Sequence, residues 1–93
     1  MKYYVQLIQR TESKWENGKM VDIPFEEQEL AECCGSFSVL ILDGRNTISN
    51  MIQDGQELFD REKRMSPWIC GFRIRKGERF SNNNKIEFER VVR

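Results

Sequence analysis

The chain has 93 residues, of which 39% are hydrophobic and 32% are charged, which is enough for one small globular domain (residues 1–93) with a modest core. It contains no histidine, which excludes a nucleophile activated by histidine, and its three cysteines are too few for a four-ligand structural zinc site. The net charge of zero hides a split, because residues 1–60 carry five basic and eleven acidic side chains whereas residues 61–93 carry ten basic and four acidic ones.

A strand and a hairpin open the chain. Residues 2–10 alternate between the two faces of a strand, with one well-buried side. The dipeptide Asn17-Gly18 follows and favours a type I′ turn, because both residues accept a positive φ angle. The turn would create two cross-strand pairs, Trp15 with Met20 and Glu16 with Lys19. The second strand would run to about Phe25, and Pro24 predicts an edge position because proline lacks an N–H donor.

The middle of the chain predicts an acidic link, a central strand and a helix. Residues 26–34 are acidic and polar, with room for one helical turn. Residues 36–42 form a nearly continuous apolar run, typical of a strand covered on both faces. Apolar residues from 47 to 65 recur at steps of three, four and seven, which predicts an amphipathic helix capped by Asn46 or Thr47.

The apolar stripe of this helix contains Gly55, although glycine inside a helix costs about 1 kcal/mol relative to alanine. Close packing of the helix on the sheet, or a bend in the helix, would explain the glycine. Pro67 ends the helix. Residues 68–76 then alternate as a strand with Trp68 among its core-facing side chains, and residues 85–92 form the last strand.

These elements predict an α+β fold. Their order is three strands, one helix and two strands, arranged as one mostly antiparallel five-stranded sheet with the amphipathic helix on one face. A single helix covers only one face of such a sheet. Four apolar side chains are expected on the other face: Ile8, Leu40, Leu42 and Ile69. The first hairpin or a second copy of the chain would have to cover them.

Basic residues of the C-terminal third form the first candidate partner-binding site. They come from the predicted helix end, the next strand and the loop after it: Arg61, Lys63, Arg64, Arg73, Arg75, Lys76 and Arg79. Phe80 lies in the same loop, and an exposed aromatic beside cations is typical of a protein-binding anchor. With Trp68 and Phe72, the same cations would also suit single-stranded nucleic acid, which takes charge for phosphates and rings for bases.

Acidic residues could neutralise this basic surface or form a second binding surface. In an antiparallel hairpin, Arg73 and Arg75 would lie beside Glu87 and Glu89, and such pairs would neutralise the face locally. A further acidic group lies in the predicted link: Glu26, Glu27, Glu29 and Glu32. This group is either a solvated surface or a patch that meets a basic groove of a partner. If the partner is a second copy of the chain, the two patches favour a two-fold homodimer.

Cysteine spacing and the lengths of the apolar runs predict a cytoplasmic protein. Cys33, Cys34 and Cys70 are a poor disulfide framework, so reduced thiols are expected. The alternative is a bridge from Cys33 or Cys34 to Cys70 or to a second chain. No apolar run approaches the about 20 residues of a membrane span. The first residues also lack the features of a secretory signal, so no membrane partner is expected.

No motif in the sequence names a reaction. We therefore expect a non-enzymatic binding protein that needs no metal or cofactor and acts through charged protein–protein contacts. Its size and lack of histidine are typical of small inhibitors made by phages and other mobile elements, which block host defence or nucleic-acid enzymes. The alternative is a small nucleic-acid-binding domain that uses the basic C-terminal third, although the pI of about 6.3 is low for that class.

Overall fold

A computed structural model describes residues 2–11, 13–33, 36–42, 47–78 and 84–92. In chain order their elements are β1 (Tyr3–Arg10), β2 (Ser13–Glu16), β3 (Lys19–Asp22), β4 (Leu30–Glu32), β5 (Val39–Leu42), α1 (Ile48–Lys63), β6 (Ile69–Lys76) and β7 (Lys85–Val91). Short 3₁₀ turns at Phe25–Glu27 and Ser36–Ser38 precede β4 and β5. The predicted α+β class is confirmed, with one helix and a mostly antiparallel sheet of five strands.

The central strand of the main sheet is β1. On one side β6 pairs with it along nearly its whole length, and β7 pairs with the outer edge of β6. On the other side two short strands lie end to end, because β5 pairs with residues 3–6 and β4 pairs with residues 8–10. All of these pairings are antiparallel. Both edges of β1 are therefore occupied.

A buried amide joins the two short strands. Gln6 is almost fully buried, and its Nε2 donates to the carbonyl oxygen of Cys33 at 2.7 Å and to Oγ of Ser38 at 3.3 Å. Ser38 Oγ in turn donates to the same Cys33 carbonyl oxygen at 3.1 Å. Because Cys33 follows β4 and Ser38 precedes β5, these bonds fix both short strands on one edge of β1.

The hairpin forms as predicted but lies outside the main sheet. Asn17 and Gly18 have φ angles of 51° and 76°, and the register matches the prediction: Trp15 opposite Met20 and Glu16 opposite Lys19. However, β2 and β3 form a separate two-stranded sheet, and β4, from the predicted acidic link, supplies the fifth strand instead. Every residue of β3 is exposed, so the hairpin has no buried face that would hold it on the main sheet.

Packing of α1 on one face of the main sheet creates the core. Thr47 caps the helix as predicted, because its side chain accepts a hydrogen bond from the backbone N–H of Asn50 at 3.3 Å. Side chains from β1, β5, α1 and β6 are buried there: Val5, Leu7, Leu42, Met51, Leu58, Phe59, Ile69, Phe72 and Ile74. Within the described residues, no helix is both long enough and apolar enough to cross a membrane.

Three of the four apolar residues predicted on the uncovered face belong to the helix side, so that prediction is wrong for them. Leu42 is buried in the core and Leu40 packs against it, because the pairing of β5 with β1 turns both toward the helix. Ile69 also faces the helix, because an irregularity in the pairing of β1 with β6 shifts the register between Ile69 and Gly71, at the start of β6. Ile8 lies on the opposite face and is fully buried.

Gly55 brings the helix close to the sheet, which is the first of the two explanations that the sequence offered. A Cβ atom on Gly55 would lie 2.5 Å and 2.7 Å from two ring atoms of Phe72. The Phe72 ring is itself fully buried in β6. The helix continues through Gly55 without a break.

We predict that Gly55→Ala lowers the free energy of unfolding by about 1–2 kcal/mol, because overpacking against Phe72 outweighs the gain in helix propensity. Urea denaturation followed by circular dichroism measures the change. Gln53→Ala, at an exposed position of the same helix, is the matched control and should change the free energy by less than about 0.5 kcal/mol. Equal or greater stability of Gly55→Ala would show that the helix does not depend on this close approach.

Candidate functional site

Four charged side chains form an ion-pair cluster on the sheet face opposite the helix. Arg73 Nε donates to Glu89 Oε2 at 2.5 Å, and Arg73 Nη1 lies 3.5 Å from Glu32 Oε1. Arg75 Nε donates to the same oxygen of Glu32 at 2.6 Å, and its Nη1 donates to the carbonyl oxygen of Asn84 at 2.6 Å. Only 17% and 19% of the two arginine side chains are exposed, so these ion pairs are largely withdrawn from solvent.

The ion-pair cluster spans the central strand. Arg73 and Arg75 belong to β6 and Glu32 belongs to β4, whereas β1 lies between these strands. The two arginines therefore extend over β1, where Tyr4 and Ile8 face the same side and are buried. Arginine stems cover apolar surface while their guanidinium groups reach polar partners. Side chains of the same chain thus cross the face that has no helix.

Within this cluster, members of the predicted basic set bind members of the predicted acidic set. Arg73 and Arg75 come from the basic set and Glu32 comes from the acidic set. The predicted cross-strand pair of Arg73 with Glu89 is confirmed. The prediction that Arg75 lies beside Glu87 is wrong, because the pairing of β6 with β7 shifts register there and Arg75 reaches Glu32 instead.

Three other predicted cations lie at the end of α1. Arg61 Nε lies 3.2 Å from Glu62 Oε1, and the Arg61 side chain is mostly exposed. Lys63 Nζ lies 5.1 Å from the centre of the Phe59 ring. Arg64 follows the helix and is exposed. These cations also suit the negative end of the helix dipole, so they have a structural as well as a binding interpretation.

The remaining predicted cations lie at the C-terminal end of β6 and in the loop that follows it in the sequence. Lys76 is half-buried at the end of β6, where its cross-strand partner is Lys85. Arg79 and Phe80 lie outside the described residues. Among the described residues, no carboxylate oxygen lies within ion-pair distance of Lys76 or Lys85.

Three residues of the predicted acidic set remain solvated. Glu26 and Glu27 lie in the first 3₁₀ turn, Glu29 follows it, and all three are exposed. Two of them line an open cavity of about 340 Å³ together with residues of the preceding segments: Thr11, Lys14, Ile23, Glu27 and Glu29. These three residues and the cations at the end of α1 are therefore the described parts of the predicted charged sets that face solvent.

Both tryptophans are exposed. Trp15 is 72% exposed on the hairpin, beside its cross-strand partner Met20, which is 57% exposed. Trp68 is 50% exposed, so the prediction that it faces the core is wrong. The strand begins at Ile69, and the register shift described above turns Ile69 toward the helix and leaves Trp68 in the preceding turn.

A cleft of about 250 Å³ lies beside Trp68, where α1 ends and β6 begins. Its apolar lining comes from the first 3₁₀ turn, the helix-to-strand connection and the last strand: Phe25, Pro67, Trp68, Ile69 and Val92. Arg10 and Lys63 add two positive charges. We call this feature the Trp68 cleft. It combines exposed aromatic rings with cations, which is an arrangement suited to binding.

The two cations of the Trp68 cleft make cation–π contacts. The guanidinium carbon of Arg10 lies 4.9 Å from the centre of the Phe25 ring, and Lys63 lies over Phe59 as described above. In the part of the chain that the structure describes, neither cation has a carboxylate within ion-pair distance. Both positive charges are therefore available to an anionic ligand.

The described thiols are buried. They are Cys33 and Cys70, of which Cys70 forms no disulfide, and Cys34 lies outside the described residues. Cys70 lines the Trp68 cleft, where burial raises the pKa of its thiol and the nearby charges of Arg10 and Lys63 oppose that shift. A raised pKa keeps the thiol protonated and weakly nucleophilic. The described residues contain no group of three or more cysteine or carboxylate side chains that could hold a metal ion.

Sequence reasoning missed the cleft because its members are far apart along the chain. Arg10 ends β1, Phe25 follows a proline, and Trp68 follows the proline that ends the helix. The one local signal was the position of Trp68 directly after Pro67, in a connection between two elements rather than inside a strand.

Comparison with known proteins finds no matching family model, no matching curated protein and no matching solved structure.

We predict that Arg75→Gln lowers the free energy of unfolding by about 1–3 kcal/mol, because Glu32 would lose a close, largely buried partner. Urea denaturation measures the loss. Lys85→Gln removes the same charge from an exposed residue without a carboxylate partner in the described chain, and should change the free energy by less than about 0.5 kcal/mol. Equal effects of the two substitutions would show that the ion-pair cluster does not stabilise the sheet.

Proposed function

We propose that this chain is a non-enzymatic binding protein that acts through protein–protein contacts. The observation that most directly supports the proposal is the exposure of both tryptophans, Trp15 and Trp68. Tryptophan is highly buried on average, and one side chain removes about 150–250 Å² from water when it is buried. A partner that covers both rings would recover this hydrophobic free energy, and tryptophan is the residue type most enriched at the centres of protein interfaces.

The hairpin is suited to reach a partner. β2 and β3 pair only with each other, and Trp15 and Met20 lie together on one face of the pair. Val21 lies on the other face of the hairpin, beside Lys14. An aromatic and a flexible thioether side by side form a compact apolar patch on a segment that the core does not need.

Charged contacts would orient the partner. The exposed Glu26, Glu27 and Glu29 lie on one segment, and Arg61, Lys63 and Arg64 lie at the end of α1. Charges of this kind raise association rates and select partners more than they raise affinity. Arg73 and Arg75 already bind carboxylates of the chain, so we assign them to the stability of the sheet rather than to the partner.

The nature of the partner is a narrower proposal. The size of the chain and its lack of histidine suit a small inhibitor from a phage or another mobile element that blocks a host defence or nucleic-acid enzyme. The acidic and basic segments would also permit a two-fold homodimer. The need to cover the second sheet face gives less support to the dimer than the sequence suggested, because three of the four apolar residues expected there face the helix and Arg73 and Arg75 cross that face to reach Glu32.

Capture from a nuclease-treated extract of the cells in which the protein acts tests the proposal. We expect the wild-type chain to retain a defined protein, and Trp15→Ala or Trp68→Ala to reduce its recovery by about five-fold or more, as for residues at the centre of an interface. Ile48→Ala removes an exposed apolar side chain at the opposite end of α1 from Trp68 and should leave recovery unchanged. Failure of the wild-type chain to retain a protein, or equal recovery by all variants, would contradict the proposal.

The nucleic-acid alternative is tested separately by mobility shift with short RNA and DNA across a salt series. The described surface retains the neighbouring Lys76 and Lys85 as cations without carboxylate partners. Nucleic-acid binding that falls steeply with salt would favour this alternative, because phosphate contacts release counterions. We expect no shift at low salt.

A further inference from the structure

We infer that the Trp68 cleft binds a short acidic segment of a partner protein, in which an apolar or aromatic side chain is flanked by carboxylates. The inference rests on the proposed function and adds the chemistry of the partner at one site. It follows from three properties of the cleft: its size, its two positive charges, which have no carboxylate partner among the described residues, and the position of the nearby carboxylates.

Size favours one side chain over a small-molecule ligand. The cleft has a volume of about 250 Å³, which corresponds to about eight water molecules. Pockets for drug-sized molecules and cofactors occupy about 300–1,000 Å³ and enclose most of the ligand. An open cleft of this size, bordered by Trp68, Phe25 and Pro67, instead accepts a single large apolar group presented by a longer chain.

The charges specify what flanks that apolar group. Arg10 lies over the Phe25 ring at the cleft, and a guanidinium stacked on a ring can still donate its N–H groups to an acceptor in the ring's plane. Among the described residues, no carboxylate lies within ion-pair distance of Arg10. Lys63 supplies a second positive charge from the end of α1. Carboxylates are the protein groups that match both cations, and a guanidinium can bind a carboxylate through two parallel hydrogen bonds.

The neighbouring carboxylates favour a peptide over a nucleic acid. Glu26 and Glu27 follow Phe25 directly and are exposed. A nucleic-acid strand carries a charge on every phosphate, so a strand that crossed the cleft would place further negative charges near these glutamates. A short peptide carries only the carboxylates that meet Arg10 and Lys63.

The two tryptophans permit a direct test with an internal control. Each indole N–H gives its own signal in a ¹⁵N-labelled sample of the full chain, one for Trp68 and one for Trp15. The probe is a terminally blocked peptide of sequence Gly-Asp-Phe-Asp-Gly-Gly. We expect it to move the Trp68 signal in a saturable way and to leave the Trp15 signal in place. Peptides with lysine in place of aspartate, or alanine in place of phenylalanine, should bind about ten-fold more weakly or not at all.

Charge-removing variants test the two cations. Arg10→Gln and Lys63→Gln should each weaken binding of the probe by about three- to ten-fold, because each would remove one charge-assisted contact. Lys85→Gln is the matched control and should not change the affinity, because Lys85 lies at the opposite end of β7 from Val92 and the cleft. The spectra of the variants also report whether each remains folded, and two independent variants keep the test decisive if one does not.

Several results would overturn the inference. Two results would show that the cleft does not bind an acidic peptide: a Trp68 signal that does not move at millimolar probe, or a lysine peptide that binds as tightly as the probe. Two others would show a different occupant: a six-nucleotide thymidine oligomer that binds more tightly than the probe, or a Trp68 signal that moves with protein concentration alone. The last two would assign the cleft to a nucleic acid or to a second copy of the chain. A partner captured through Trp15 but no peptide binding would sink the cleft inference and leave the proposed function standing. Peptide binding without a captured partner would sink the proposed function instead.

Discussion

The reach of Arg73 and Arg75 across β1 allows a fold with one helix to have two buried sheet faces. In the described structure, α1 packs on one face of the main sheet and no second helix lies on the other. The two arginines cross the face opposite the helix, where Tyr4 and Ile8 are buried, and Glu32 binds both guanidinium groups from the far side of the central strand. Removal of the arginines or of the glutamates from this cluster would leave the opposite charge partly buried and unpaired. The free-energy cost of such an unpaired charge exceeds the net stabilisation that the ion pair provides.

The same arrangement explains why β4 belongs to the main sheet. β4 has only three residues, and it is held by pairing with β1, by the ion pairs of Glu32 and by the hydrogen bonds of Gln6 to Cys33. Because β4 and β5 together occupy one edge of β1, the longer hairpin has no edge of β1 to join. It pairs with itself, and Trp15 and Met20 remain in solvent.

Local chemistry was predictable from the sequence, whereas pairings across the fold were not. The turn at Asn17-Gly18, the cap at Thr47 and the approach of the helix at Gly55 each depend on neighbouring residues or on one face of one element. The orientation of Trp68 depends on a one-residue shift in the pairing of β6 with β1, which reverses the inward and outward positions at that point.

Charge pairing shows the same limit. Arg75 and Glu32 are 43 positions apart, so no local pattern brings them together. Sequence reasoning placed one arginine pair correctly, because Arg73 and Glu89 are cross-strand neighbours in a simple hairpin. The sequence therefore identified the charged residues, but it did not show which of them form ion pairs within the folded chain.

Charged side chains that form ion pairs within the chain are less available to a partner than those that remain solvated. The segregation of charge along the chain suggested two opposite electrical surfaces, yet folding joins part of the basic segment to part of the acidic one. What remains is local: two cations beside the exposed ring of Trp68, three glutamates beside Phe25, and an apolar pair on the hairpin. Long-range attraction between uniformly charged surfaces weakens within about 10 Å at 0.1 M salt, whereas a ring seated beside a desolvated cation does not. A partner would therefore be held mainly by aromatic anchors, with the nearby charges selecting which apolar segments those anchors accept.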